Sequence, residues 1–396
     1  GLLQPAQRPA TRVALRRCIA QMQLLQIDTI HVVARSPYLV LFSRLGPYPM
    51  VWLDETLAAG QVFETWAHEA CLAPAGDLAL HRSHNRDTRQ HWGVALGRNG
   101  DAQQQAHLQR LLDHVRLSGP VRSSDFTRTD GHSGGWWGWK DEKLWLEALF
   151  ARGELMVARR ERFQRVYDLA ERVHPGVHAL PALDAATVRD RFIDAAISAL
   201  GITQARWVSD YFRTKPRLRD ADLDAWVADG RLLRVAVTGW DAPAYVHADH
   251  LPLLRRAWRG RLQATHTTVL SPFDPVTWDR QRASTLFGFD YRIECYTPEH
   301  KRSYGYFVLP LLHCGRLVGR LDAKAHRDQG VFELKALFLE PGVDASDELL
   351  AALAGALWRC ARWHGATRLR LVRTSPSALA PRLRQVLRRC EQEIAA

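Results

Sequence analysis

An α+β fold is predicted for this chain, on three observations. A unit of helix, glycine and two-stranded ribbon recurs three times in the first two-thirds of the sequence. The stretch that follows alternates apolar and polar residues between turn signals, and the tail returns to helical spacing. With 396 residues, 46% of them hydrophobic, the chain can bury several cores, so two to four domains are expected.

The repeated unit reads WLDETLAAGQVFETWAHEACLAP from Trp52, LWLEALFARGELMVARRERFQRVYDL from Leu144 and DLDAWVADGRLLRVAVTGWDAPAYVH from Asp222. Each copy opens with a short amphipathic helix, apolar at i, i+3 and i+4. Each helix stops at a glycine (Gly60, Gly153, Gly230), the residue that best tolerates a left-handed C-terminal turn. An apolar strand follows, then a polar turn and a second strand. Further helices are predicted upstream, over 9–24 and 37–46, over 102–118, and over 187–200 and 204–213. Three helices and a ribbon are the order of a winged helix-turn-helix. A single match would be weak, but three in tandem support one another. The predicted domains are therefore winged helices over 1–100, 101–180 and 181–260.

From about residue 265, the segments YRIECY, YGYFVLPLLHC, RLVGRLDAKAH and VFELKALFLE alternate between turns at TPEHKR, HCGR and HRDQG. They predict an antiparallel meander forming a small β-barrel or half-barrel. A helix over 346–364, a strand at RLRLVR and a last helix over 377–394 complete a domain of 261–396. The last helix carries Arg382, Arg384, Arg388 and Arg389 on its polar positions.

The net charge is +12, and the excess is mostly arginine, whose planar fork suits phosphate. Nucleic acid or another anionic surface is the expected partner; an arginine-rich genome would give the same composition. No apolar run reaches the roughly 18 residues of a membrane span, and no membrane partner is expected. No signal segment opens the chain, although residue 1 is glycine. The six cysteines are scattered without a CxxC pair, which predicts reduced thiols and a cytoplasmic protein.

Few residue sets could do chemistry. His68, Glu69 and Cys71 in WAHEAC and His81 and His84 in HRSH are the densest metal-type clusters. Their spacing is not HExxH and no paired cysteine follows, so surface or core histidines are expected and no metal. DGHSGGWWGWK at 130–140 has neither nucleotide-loop pattern, and it predicts a turn before a helix. Its Trp136, Trp137 and Trp139 either pack a domain junction or face a nucleic-acid groove. No GxSxG is present, and no cofactor is expected.

There remains LLQIDTI at 24–30, where Gln26 and Asp28 interrupt an apolar run. Buried polar groups are costly unless satisfied. In an extended segment the two would point to one side while Leu25 and Ile27 enter the core. Asp28 could equally N-cap a helix beginning TIHVVA, which would leave Gln26 unexplained.

These residues and their surroundings resemble the YcaQ/AlkZ family of DNA glycosylases. The similar stretches are LLQIDTIHVVARSPYLVLFSRLGPY, FETWAHEACLAP, GGWWGWK running into GELMVARRERFQRVYDLAERV, SPFDPVTWDR, and FDYRIECYTPEHKRSYGYFVLPLL with GRLVGRLDAKAHR. Together they span residues 24 to about 340. The resemblance implies tandem winged helices and a small barrel around a basic channel. That family's signature is Gln–apolar–Gln or Gln–apolar–Asp, so QID implies catalytic roles for Gln26 and Asp28. It also points to the branch associated with alkylated purines and interstrand crosslinks.

The implied protein is a monomeric, monofunctional glycosylase, nucleoid-associated when bound to damaged double-stranded DNA. Asp28 would activate water and stabilise the oxocarbenium-like sugar, and Gln26 would orient the water. Candidate phosphate contacts are Arg35, Arg159, Arg160, Arg162, Lys301, Arg302, Lys324 and Arg327, each of which is otherwise a solvated surface charge. A non-catalytic winged-helix regulator would explain the repeats and the charge, but not the QID segment, and no heptad dimerisation element is present. A metal hydrolase using His68, Glu69 and Cys71 would lose activity with chelator.

Overall fold

The computed structural model describes residues 1–87, 93–95, 100–126 and 141–395, so Trp136, Trp137 and Trp139 lie outside the described residues. The chain forms two compact units. One joins Gly1–Pro49 to Trp226–Ala396, and the other is Met50–Ala225. No helix among the described residues is long and apolar enough to cross a membrane.

The helix–glycine–ribbon unit is present at all three places. Helices Val51–Ala58, Asp141–Arg152 and Asp224–Ala228 precede Gly60, Gly153 and Gly230, whose φ values are 65°, 76° and 78°. Antiparallel hairpins follow, pairing Val62–Trp66 with Ala70–Pro74, Leu155–Glu161 with Gln164–Leu169, and Leu232–Val235 with Ala244–His247. A side chain at these glycines would be held in the left-handed region, at about 1–2 kcal/mol. Gly230→Ala should cost roughly that amount, because nothing lies within 4 Å of an added Cβ. Gly153→Ala should cost more, since its Cβ would come 2.9 Å from the Arg82 guanidinium and displace its 2.8 Å hydrogen bond to the Gly153 carbonyl. Urea midpoints of the two variants would check the order.

In the unit that holds both termini, five strands form one sheet. Their order is Thr267–Val269, Val308–His313, Arg316–His326, Val331–Leu339 and Arg368–Ser375. The first three junctions are antiparallel and the last is parallel. The antiparallel barrel expected from the sequence is thus an open sheet among the described residues. Helix Asp347–Trp363 crosses over before the last strand and returns the chain in the same direction. It buries Leu349, Leu350, Leu353, Leu357 and Cys360, and Arg359 binds the Thr267 carbonyl at 2.9 Å. The final helix, Leu379–Ala395, packs on it, with the Trp358 indole donating to the Leu387 carbonyl. On that helix Arg382 pairs with Asp347 and Arg384 donates to the Val372 carbonyl.

YRIECY, expected as a strand, is an irregular loop. Glu294 within it turns its carboxylate onto the backbone N–H groups of Ser303, Tyr304 and Gly305, so the chain folds back on itself. Thr267–Val269, which carried no sequence signal of its own, supplies the first edge strand instead.

Candidate active site

The first helix, Arg12–Met22, buries Leu15, Cys18, Ile19 and Met22 at helical spacing. Gln23 ends it with φ 63°, and Leu24 and Leu25 are fully buried. Leu25–Gln26 is extended, and residues 27–35 have no regular structure. The next helix begins at Ser36, with proline in its first turn, and not at Thr29. The Val32 carbonyl instead accepts the Ala325 N–H at 2.9 Å. Ala325 lies where strand Arg316–His326 runs past the Val308–Asp322 pair, leaving its donors open on that side. Arg327 donates to the Val33 carbonyl and lies 3.0 Å from His31 Nε2.

The capping role considered for Asp28 is therefore replaced by a different one. Its Oδ1 accepts the Ile30 N–H at 2.8 Å, an Asx turn two residues long within the loop. The loop's far end is fixed by helix Ser36–Leu45. Ser36 Oγ lies 2.9 Å from Ser271 Oγ, and Arg44 grips Asp274 through two bonds of 2.6 and 2.9 Å. That pair is buried, so the SPFDPVTWDR stretch acts as a clamp on the helix that follows QID.

Gln26 is 7% exposed, and its Oε1 has no protein hydrogen-bond partner among the described residues. Asp28 is half-buried. Burial raises its carboxyl pKa above the usual 3.8, and the Ile30 hydrogen bond pulls in the other direction. Its charge raises the pKa of Cys295 and Tyr296 in the Glu294 loop. The two segments dock on one strand, the QID loop at Ala325 and the Glu294 loop, through Gly305, at Asp322. Two guanidiniums border the same segment. Desolvation first, then Arg327 and Arg35, pull His31 down to about 4, so it is neutral near pH 7. His364, buried and also near Arg327 and His31, is pulled down to about 3.

Gln26, Asp28, Arg35, Lys301, Arg302, Lys324 and Arg327 all belong to the unit with both termini. Lys301 and Lys324 are exposed, and Arg302 donates to the Thr297 carbonyl at 2.8 Å. Arg159, Arg160 and Arg162 belong to the other unit. Arg159 pairs with Glu161 at the surface, and Arg162 stands exposed in the two-residue hairpin turn, with φ 49°. Arg160 turns inward onto Glu64, whose side chain is fully buried. Arg165 binds the same carboxylate at 2.7 Å and Glu147 at 2.6 Å, and Tyr167 completes the set at 2.9 Å from Glu147. Two of the stretches quoted above, FETW and ARRERFQRVY, meet in this network.

Among the described residues, no three of His, Cys, Asp and Glu gather as metal ligands. His81 sits edge-on to Phe63 and Phe192, His84 packs on Phe192, and His68 Nε2 lies 3.1 Å from Arg213. Sequence reasoning missed Glu64, Glu294 and Tyr296. A lone acid inside an apolar strand, as in VFETW, was the available signal for the first.

A family model described as DNA glycosylase AlkZ-like matches residues 19–363, which include the last turn of the first helix, the QID loop and the first four strands of the five-stranded sheet. The chain belongs to the AlkZ-like DNA glycosylases. Among solved structures, Streptomyces sahachiroi DNA glycosylase AlkZ is similar, with a TM-score of 0.57 and 15% identity over 93% of this chain and 95% of that one. At that identity the likeness speaks for the fold, a mixed α+β architecture. Membership in the AlkZ-like family makes the chain a DNA glycosylase of DNA repair, with DNA as its substrate. The regulator reading gives way to an enzyme, and the +12 charge suits an AlkZ-like protein that must hold a polyanion.

Proposed function

We propose that this glycosylase hydrolyses the N-glycosidic bond of cationic N7- or N3-alkylated purines and unhooks interstrand crosslinks, as a monofunctional enzyme of the YcaQ-like branch. The observation that carries the reading is the pairing of Asp28, half-buried and tied by one backbone N–H, with a buried Gln26 amide two residues before it. Alkylation leaves the purine positively charged, so its bond to C1′ is already weak and needs little acid. Sugar hydrolases, by contrast, need a second carboxylate for the leaving group. As the bond breaks, its electron pair returns to the base and neutralises it. Water attacks C1′, and its proton passes to the Asp28 carboxylate. Before that transfer, the carboxylate also faces the developing positive charge on the sugar. A buried acceptor without a partner is costly, and the Gln26 carbonyl oxygen would take a hydrogen bond from that water.

Arg35, Arg327, Lys301, Arg302 and Lys324 would hold phosphates around the lesion; Arg159 and Arg162, in the other unit, are proposed separately as phosphate contacts of its hairpin. Arg160 supports that hairpin from inside. The three helix–glycine–ribbon units would be winged helices over 1–100, 101–180 and 181–260, followed by a domain over 261–396 built on the open sheet. The protein would act as a monomer in the cytoplasm, on the nucleoid when bound. A crosslinked base stays tethered to its other strand and cannot enter a closed pocket. The 78% exposure of Tyr296, whose hydroxyl the Asp28 charge influences, supports an open site.

The test is to incubate duplex DNA carrying one N7-methylguanine with the protein and to read free base and alkali-labile sites. Release by the wild type is expected. Gln26→Ala should release base roughly tenfold more slowly, the value of a hydrogen bond of about 1–1.5 kcal/mol. No release by the wild type would refute the substrate class.

A further inference from the structure

We infer that Tyr296 is a stacking platform for the lesion, an exposed ring on a braced loop beside Asp28 that takes the face of a cationic alkylated purine. The inference rests on the reading of Asp28 given above. Single exposed aromatics are ordinary on protein surfaces, so the 78% exposure of Tyr296 says little alone. What distinguishes it is the backbone beneath. Three aromatic residues that flank the loop, Phe289, Tyr291 and Phe307, are buried at 1%, 2% and 0% exposure, and Tyr304 and Tyr306 are half-buried. Phe289 and Tyr291 stack with ring centroids 5.6 Å apart, and the Tyr291 hydroxyl binds the Val308 carbonyl at 2.6 Å.

Between these anchors the loop closes on the Glu294 carboxylate, which takes three backbone N–H groups at 2.7 to 3.1 Å. The Thr297 N–H returns to the Glu294 carbonyl at 2.9 Å, directly across Tyr296. Arg302 ties the far side to the Thr297 carbonyl and lies 5.0 Å above the Tyr306 ring. Asp322, buried in the sheet, stands opposite Val308 and packs against Gly305. Only glycine fits at 305, because an added Cβ would fall on the Asp322 carboxylate. A loop braced at so many points fixes the backbone that carries the exposed ring, which lowers the ordering cost of recognition.

The ring suits the chemistry. A phenol face is electron-rich, and a purine alkylated at N7 or N3 is cationic, so a cation–π attraction adds to ordinary stacking. An undamaged, neutral base gains only the stacking. Once the bond breaks the base becomes neutral, the added attraction is lost, and the product can leave. A crosslinked base can lie against such a ring without entering a pocket.

The experiment uses the Asp28→Asn protein, in which base release is slowed, and measures Kd by anisotropy before release sets in. The probes are a duplex with one N7-methylguanine and the same duplex unmodified. Loss of the ring in Asp28→Asn/Tyr296→Ala should cut the preference for the modified duplex by about 2- to 5-fold, the worth of an exposed cation–π contact, and Tyr296→Phe should keep it. A duplex with a tetrahydrofuran abasic site should bind all three alike. The inference is overturned if Ala keeps the preference, if Phe loses it as fully as Ala, or if binding to all three duplexes falls equally. Should Asp28→Asn still release base, the Asp28 reading fails by itself. Tyr296 is then judged by single-turnover release at sub-saturating enzyme, where Ala but not Phe should show the same loss.

Discussion

Asp28→Asn is expected to slow single-turnover release of N7-methylguanine by about 10²- to 10⁴-fold, the usual worth of a general base. Asparagine keeps the Oδ1 acceptor for the Ile30 N–H, so the Asx turn and the loop should persist. Stability separates this loss from misfolding. The folded carboxyl has its pKa raised above the unfolded value, so the folded state binds more protons between the two. Asp28 therefore costs stability above its unfolded pKa, and the cost vanishes below it. The asparagine variant should be at least as stable as the wild type at pH 7. A fall in its urea midpoint would assign the lost activity to folding instead.

Glu64→Gln is expected to destabilise the unit Met50–Ala225 by about 3–5 kcal/mol, the cost of leaving a buried charge without its partner. Burial alone would raise the Glu64 pKa, but Arg160 and Arg165 hold it below the usual 4.5. An amide could accept a hydrogen bond, but it would leave two guanidiniums over one neutral group. The sign with pH is definite. Glu64 contributes its stability above the unfolded pKa, and loses it as pH falls through the lower folded one. Urea unfolding at pH 7 and pH 4 should show a gap between variant and wild type that narrows in acid. Equal midpoints at pH 7 would mean that the Arg–Glu network contributes nothing net.

The parts of the fold legible in the sequence are those set by near neighbours. Gly60, Gly153 and Gly230 each mark a helix end because the left-handed turn is a local demand, and the hairpins follow from alternation. The failures lie where distant residues decide. TIHVVA reads as a capped helix until Ala325, nearly three hundred positions on, takes the Val32 carbonyl. YRIECY alternates like a strand, yet Glu294 bends it onto residues 303–305. The open sheet depends on a crossover helix that reverses the sense of the last strand, which strand patterns alone do not record. At the site, QID was visible as polar residues in an apolar run. Arg160 looked like its surface neighbours Arg159 and Arg162, because its partner Glu64 lies 96 positions away. Tyr296 gave no signal, since exposure beside Asp28 is a property of the folded loop.

The most direct test of Asp28 as the base is the pH dependence of single-turnover base release, compared between wild type and Asp28→Asn. In the wild type the rate should rise with pH through one carboxyl ionisation above the ordinary value of 3.8 and then level off. The variant should show a low rate without that step. The same step in both proteins, or a wild-type rate that falls as the carboxyl ionises, would contradict the assignment.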